Sequence, residues 1–135
     1  MQFRITYSEL EHLVSEKSGQ QIGFSYGGEH TLAITYGAKV LIKTMNMGLN
    51  LTVERVLGTD VRLSYSGTMG VDLMVRTALN QIKSRPEGAM IETLDGNMIV
   101  LHLGMNPQLA QIFNHIILQD VCFDDQFVII EFVRR

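Results

Sequence analysis

The sequence predicts an α+β fold in which a largely antiparallel, curved sheet of about 8–9 strands is covered by three helices. Two adjacent stretches carry this prediction. Within 61–66 apolar and polar residues alternate strictly, which is the period of a strand with one buried and one solvated face. Within 71–82 apolar residues recur at helical spacing instead, which indicates an amphipathic helix that covers the sheet.

The predicted strand at 61–66 is the second half of a hairpin. Val61, Leu63 and Tyr65 form its apolar side, and a turn at 58–60 joins it to a first strand at 51–57. We expect the helix predicted at 71–84 to pack over this hairpin, because its apolar residues form one stripe. The stripe consists of Val71, Met74, Val75, Ala78, Leu79 and Ile82.

The chain before this hairpin predicts one helix and several strands. Residues 3–6 are either a short edge strand or the approach to the helix. Ser8 and Glu11 have the spacing of a capping box, in which each side chain bonds the other residue's amide. Gly19 suits the left-handed conformation that often ends a helix. Alternation and apolar runs then indicate strands at 22–26, 32–36 and 39–47.

The chain after this helix predicts two more hairpins and a third helix. Asp95-Gly96 is a strong turn signal. Asn106 followed by Pro107 is typical of a helix start, because Asn caps the first amides and Pro lacks one that would be unpaired anyway. The segments are a hairpin of 89–94 and 98–103, a helix at 107–116, and a hairpin of 117–123 and 127–133. Nearly all connections are too short for parallel crossovers, so we expect an antiparallel sheet and one domain over 1–135.

Composition and charge argue against several classes of protein. Apolar residues make up 46% of the chain and charged residues 19%, as in folded proteins rather than disordered ones. The net charge of −3 and the scattered basic residues give no support for nucleic-acid binding. A single cysteine, Cys122, cannot form an internal disulfide. Without a signal-peptide core or an apolar run of about 20 residues, we expect a cytoplasmic protein with no membrane span.

No motif predicts a catalytic residue, a cofactor or a metal ion. The glycines at 67–70 precede a predicted helix, but the loop lacks the lysine and the spacing of a phosphate-binding loop, and a turn explains them. Asp120, Asp124 and Asp125 do not match a calcium loop, and the four histidines lack the spacing of metal ligands. Cys122 lies in an apolar strand, where a small buried side chain is expected.

The absence of a catalytic motif and the presence of several strands that must end at sheet edges favour a non-enzymatic binding module. The leading hypothesis is that this module binds a protein partner or a second copy of itself, since edge strands carry unpaired backbone groups. An enzyme whose groups converge only in three dimensions is a further hypothesis. Its candidate residues are His102, Asp72, Glu92 and Asp120.

The alternative binding hypothesis is a site for a small apolar ligand. We expect this ligand to lie between the sheet and the helices predicted at 71–84 and 107–116. Eight methionines suit an adaptable apolar site. The predicted contacts are Met74, Val75, Val61, Leu63 and Tyr65.

Overall fold

The computed structural model describes residues 1–18, 22–40, 43–67, 70–83 and 86–135. Gly19, the loop residues Thr68 and Met69, and Ser84 lie outside these residues, as do the predictions made for them. The strands are β1 (Gln2–Thr6), β2 (Ile22–Gly28), β3 (Thr31–Val40), β4 (Lys43–Leu57), β5 (Asp60–Gly67), β6 (Ile91–Thr93), β7 (Met98–His102), β8 (Ile116–Phe123) and β9 (Phe127–Arg134). The helices are α1 (Tyr7–Ser18), α2 (Val71–Lys83) and α3 (Pro107–Phe113), with short 3₁₀ helices at Pro86–Met90 and Leu103–Met105.

The nine strands form two antiparallel sheets. The larger sheet has the strand order β2-β3-β4-β5-β7-β6, and the smaller one has the order β1-β9-β8. Every neighbouring pair is antiparallel. The predicted class, a mostly antiparallel α+β fold with three helices, is therefore confirmed.

The hairpin of β4 and β5 lies in the middle of the larger sheet, and β5 has the buried and solvated faces that its alternating pattern predicts. Val61, Leu63 and Tyr65 are buried, whereas Arg62 and Ser66 are exposed. On α2, Val71 and Val75 are buried and belong to the same core. The helix therefore covers the apolar side of the hairpin.

Both sheets contribute to one apolar core. Leu118, Phe123 and Val128 of the smaller sheet cluster with Leu32 and Val53 of the larger one. At the edge of this core the Phe123 amide donates to the Glu29 carbonyl at 2.7 Å. This bond joins β8 to the turn between β2 and β3.

The start of α1 differs from the prediction. The capping box is formed by Thr6 and Glu9 rather than by Ser8 and Glu11. The Glu9 amide donates to Thr6 Oγ1 at 3.1 Å, and the Thr6 amide donates to Glu9 Oε1 at 3.2 Å. Glu11 instead accepts a 2.8 Å hydrogen bond from the amide of Phe24 at the edge of β2. Because residues 3–6 are a strand that runs directly into the helix, the helix begins two residues earlier than predicted.

The prediction of one continuous strand over 39–47 is wrong. Val40 pairs with Lys43, so the chain reverses direction between β3 and β4. Gly37 and Gly48, which directly follow the strands predicted at 32–36 and 39–47, lie inside β3 and β4. A glycine weakens a strand but keeps both backbone hydrogen-bonding groups, so it does not interrupt the ladder.

The start of α3 confirms the prediction, whereas its end does not. Asn106 Oδ1 accepts hydrogen bonds from the amides of Gln108 and Leu109 at 3.0 and 3.1 Å. The helix ends at Phe113, and Ile116, predicted to lie on it, is the first residue of β8. Ile112, an apolar residue of this helix, is 50% exposed. None of the helices in the described residues is both long and apolar enough to cross a membrane.

Candidate functional site

A cavity of about 370 Å³ lies between α2 and the strands β5, β6 and β7. One wall is the side of α2 that carries Arg76, Leu79, Asn80 and Lys83. The opposite wall is the 93–96 turn between β6 and β7. Tyr65, Met98 and Ile99 line the cavity from the sheet.

The cavity lining exposes more polar than apolar surface, and some of its apolar side chains come from the sheet. Tyr65 and Ile99 are buried in the main core, and Leu79 packs against it. Arg76 and Lys83 are exposed. A concave site with an apolar floor and a few polar groups is the usual form of a small-molecule site.

Asn97 holds the turn wall against β5. Its side-chain amide donates to the Tyr65 carbonyl at 2.7 Å, and its own carbonyl accepts from the Tyr65 amide at 3.0 Å. Within the turn, the Leu94 amide donates to the Met98 carbonyl at 3.0 Å. Gly96 has a φ of 76°, a conformation that glycine adopts without strain. The wall is therefore defined by backbone hydrogen bonds as well as by side chains.

The phenol of Tyr65 connects the sheet to the first turn of α2. Its pKa is raised by burial and by a hydrogen bond to the Asp72 carboxylate, while Arg76 acts in the opposite direction. The phenol is therefore neutral at ordinary pH.

Only one of the five predicted contact residues lines the cavity with a described side chain. Tyr65 does so, whereas Val61, Leu63 and Val75 belong to the buried core beside it. The side chain of Met74 lies outside the described part of the chain. Sequence reasoning missed Arg76, Asn80 and Lys83. Their spacing of four and then three residues, beside the apolar stripe, is the signal that places them on one side of the helix.

A second concave region, of about 390 Å³, lies beside His102 and contains no cavity-lining residue of α2. His102 Nδ1 lies 2.9 Å from Asp60 Oδ1 on the paired strand β5. Its Nε2 lies 3.6 Å from Glu92 Oε2 on β6, an ionic contact beyond hydrogen-bond range. The hydrogen bond to Asp60 raises the pKa of His102, against the effect of burial, and the charges of Asp60 and Glu92 add to this. His102, Asp60 and Glu92 thus form a charged network across three neighbouring strands.

The residues proposed for an unrecognised enzyme do not all meet. His102 and Glu92 lie together, but Asp72 is beside Tyr65, and Asp120 binds His30 on the far side of the core. His30 Nε2 lies 3.0 Å from Asp120 Oδ2, and this bond raises the pKa of His30. His102, which lies between the carboxylates of Asp60 and Glu92, favours its protonated form. A protonated histidine cannot accept a proton as a general base.

Metal ligation and thiol chemistry also find no support in the geometry. Across the described residues, no group of three or more His, Cys, Asp or Glu side chains could hold a metal ion. Burial raises the pKa of the Cys122 thiol, and the nearby carboxylates of Asp120, Glu131, Glu29 and Asp124 raise it further. A thiol with a raised pKa is a poor nucleophile at neutral pH.

The His102 network predicts a stability that depends on pH. The pKa of His102 is higher in the folded than in the unfolded protein. Its contribution to stability is therefore fully present below the pKa of the unfolded chain, and it is lost as the pH rises through the pKa of the folded protein. We therefore expect the cost of His102→Gln in free energy of unfolding to be about 0.2–1 kcal/mol larger near pH 6 than near pH 9. Asp60 is 43% exposed at its side chain, so solvent screening keeps this effect small.

Urea unfolding at both pH values measures this difference. His30 has a raised pKa in the same direction, but it is present in both proteins and cancels in the comparison. An equal cost of His102→Gln at the two pH values would show that the network holds no additional proton in the folded state.

Comparison of the chain with models of protein families, with curated proteins and with solved structures finds no match. The function therefore has to be argued from the cavity and the surfaces themselves.

Proposed function

We propose that this protein binds a small molecule in the cavity between α2 and the larger sheet. The observation that carries the proposal is the cavity itself, which has a volume of about 370 Å³ and is lined by the sheet and α2 but not by α3, the second helix predicted to enclose a ligand. Ligand sites typically have volumes of about 300–1,000 Å³. The volume therefore supports a ligand at the small end of that range.

The lining supports a ligand that has both an apolar and a polar part. Leu79, Leu94 and Met98 offer partly exposed apolar side chains to the ligand. Arg76, Asn80 and Lys83 place polar groups at the solvent side. This arrangement favours a ligand that buries its apolar part and keeps a polar part near the opening, instead of the wholly apolar ligand expected from the sequence.

The first test is the binding of N-phenyl-1-naphthylamine, a neutral apolar fluorophore. We expect saturable binding by fluorescence titration, with a stoichiometry of one. Asn80→Trp should weaken it by about tenfold or more, because the indole fills the cavity at an exposed helix position. Leu73→Trp is the matched control, since Leu73 lies on the same helix, is 72% exposed and does not line the cavity. Absence of saturable binding, or an equal loss in both variants, would contradict the proposal.

Self-association through β1 is a second candidate function, supported by the free edge of that strand. Met1 exchanges backbone hydrogen bonds with Phe132 at 2.9 and 3.0 Å. In an antiparallel ladder, hydrogen-bonded and non-hydrogen-bonded residue pairs alternate. The backbone groups of Phe3 and Ile5 therefore also face β9, whereas the backbone amides of Gln2 and Arg4 point away from it. Phe3 is 56% exposed. A second copy could pair antiparallel with β1, with the two Phe3 side chains opposite each other and each Gln2 opposite Arg4 of the other copy.

Light scattering after size-exclusion chromatography over a concentration series tests this candidate. We expect a concentration-dependent dimer that Arg4→Pro abolishes, because proline removes the outward amide needed for the new pairing. Arg4→Ala, which also loses the cation–π contact with Phe127 but keeps the amide, should still dimerise. A strict monomer at all concentrations would rule out the candidate.

A further inference from the structure

We propose that the ligand of the α2 cavity is an organic anion, with an apolar body and one carboxylate or sulfonate group held by Arg76 and Lys83. This inference rests on the proposed function, because it assigns a chemical class to the ligand of the same cavity. Three observations support it: the position of the two cations, the absence of an ion pair to either among the described residues, and the charges on the opposite wall.

The two cations lie on one side of the helix at the opening of the cavity. Arg76 and Lys83 are seven residues apart, which is close to two helical turns and about 10 Å along the axis. Asn80 lies between them and also lines the cavity. Long, flexible side chains at the two ends allow both cationic groups to approach an anion placed over Asn80, whose amide can donate as well.

Neither cation is neutralised by a residue in the described part of the chain. Arg76 and Lys83 form no ion pair with any residue that the structure describes, and Lys83 makes one long contact, of 3.5 Å, with Thr93 Oγ1. The Asp72 carboxylate, one turn before Arg76, forms no ion pair with it among the described residues. Two unpaired cations at one opening are therefore available to a ligand.

Among the described residues of the cavity lining, the only carboxylate is Asp95, on the turn opposite the helix. The lining thus carries two cations and one anion, although the whole chain has a net charge of −3. A local surplus of positive charge in an acidic protein favours an anionic ligand over a cationic one. The partly exposed side chains of Leu79, Leu94 and Met98 distinguish this ligand from a bare inorganic anion, which would leave their apolar surface unused.

Two related fluorophores test the inference. 8-Anilinonaphthalene-1-sulfonate has the ring system of N-phenyl-1-naphthylamine with one added sulfonate, so the pair isolates the contribution of the anion. We expect the sulfonate to bind more tightly than the neutral probe, and the difference to shrink at high salt. Arg76→Gln and Lys83→Gln should each weaken sulfonate binding by about threefold to tenfold, and weaken binding of the neutral probe by a smaller factor.

Arg62→Gln is the matched control. Arg62 is an exposed cation on the solvated face of β5, opposite the face that lines the cavity, so its loss changes the net charge equally without touching the site. All three positions are exposed, and thermal unfolding followed by circular dichroism checks that the variants remain folded.

The outcomes separate the two proposals. If the neutral probe binds and Asn80→Trp blocks it, but sulfonate affinity is the same in Arg76→Gln, Lys83→Gln and Arg62→Gln, the ligand is not selected by charge and this inference fails alone. If neither probe binds saturably, the cavity is not a binding site and the proposed function fails with it. Selective loss of sulfonate binding in the two helix variants supports both.

Discussion

Leu63→Ala is expected to lower the free energy of unfolding by about 2–5 kcal/mol. Leu63 is 6% exposed at the centre of β5, where it pairs with Val53 of β4 and Ile99 of β7. Strands on both sides are held by backbone hydrogen bonds, so the surrounding side chains can collapse only partly into the space that the missing atoms leave. Incomplete collapse places the cost towards the upper part of that range.

Urea unfolding followed by far-ultraviolet circular dichroism measures this loss, and Arg62→Ala provides the control. Arg62 is the preceding residue on the same strand and is exposed, so we expect its replacement to change stability by about 0.5 kcal/mol or less. Similar losses in the two variants would mean that β5 does not have one buried and one solvated face. That result would contradict the central feature of the fold.

Gly67→Ala is expected to destabilise the protein by about 1–3 kcal/mol. A methyl group at Gly67 would lie 2.7 Å from the carbonyl oxygen of Gly48 and 2.9 Å from Cγ2 of Val71. The first contact is with backbone of the neighbouring strand and the second with a buried residue at the start of α2, so neither neighbour can move freely. The chain must therefore shift where β4, β5 and α2 meet.

Gly48→Ala is the matched control for this substitution. Gly48 lies in β4 beside Gly67, but a methyl group there would have no atom within 4 Å. We expect its stability to be unchanged, or to rise by about 0.4–1 kcal/mol, because alanine reduces the freedom of the unfolded chain. If Gly67→Ala were as stable as Gly48→Ala, close packing would not explain the glycine at 67.

This comparison also concerns the sequence interpretation of the glycines at 67–70. The structure supports a packing role at Gly67 and a backbone role at Gly70, whose φ is 92°. Thr68 and Met69, at the centre of that loop, lie outside the described residues. The cavity that carries the proposed function is instead lined by the second half of α2 and by the turn at 93–96.

The two candidate functions use different parts of the molecule and can be tested separately. The ligand cavity is formed by the larger sheet and α2, whereas the free edge of β1 belongs to the smaller sheet. Arg4→Pro should therefore abolish a dimer without changing the binding of N-phenyl-1-naphthylamine. Asn80→Trp should weaken the binding of N-phenyl-1-naphthylamine without changing the dimer.

Local patterns in the sequence determined several parts of this fold. The period of two in β5, the apolar stripe of α2 and the Asn106-Pro107 helix start all follow from interactions within a few residues. The structure agrees with each of them, because burial of one face and capping of a helix end do not depend on which distant segment lies opposite. The mostly antiparallel class followed in the same way from short connections.

Contacts between distant segments decided the rest. The choice of Thr6 rather than Ser8 as the cap depends on β1 pairing with β9, and the division of 39–47 between two strands depends on the pairing of β3 with β4. The candidate site has the same origin. Arg76 and Lys83 are ordinary exposed helix residues in the sequence, and they become part of a site only because Asn97 holds the turn between β6 and β7 against β5. Periodicity reports which face of an element is buried, whereas a cavity depends on where two elements fail to fill the space between them.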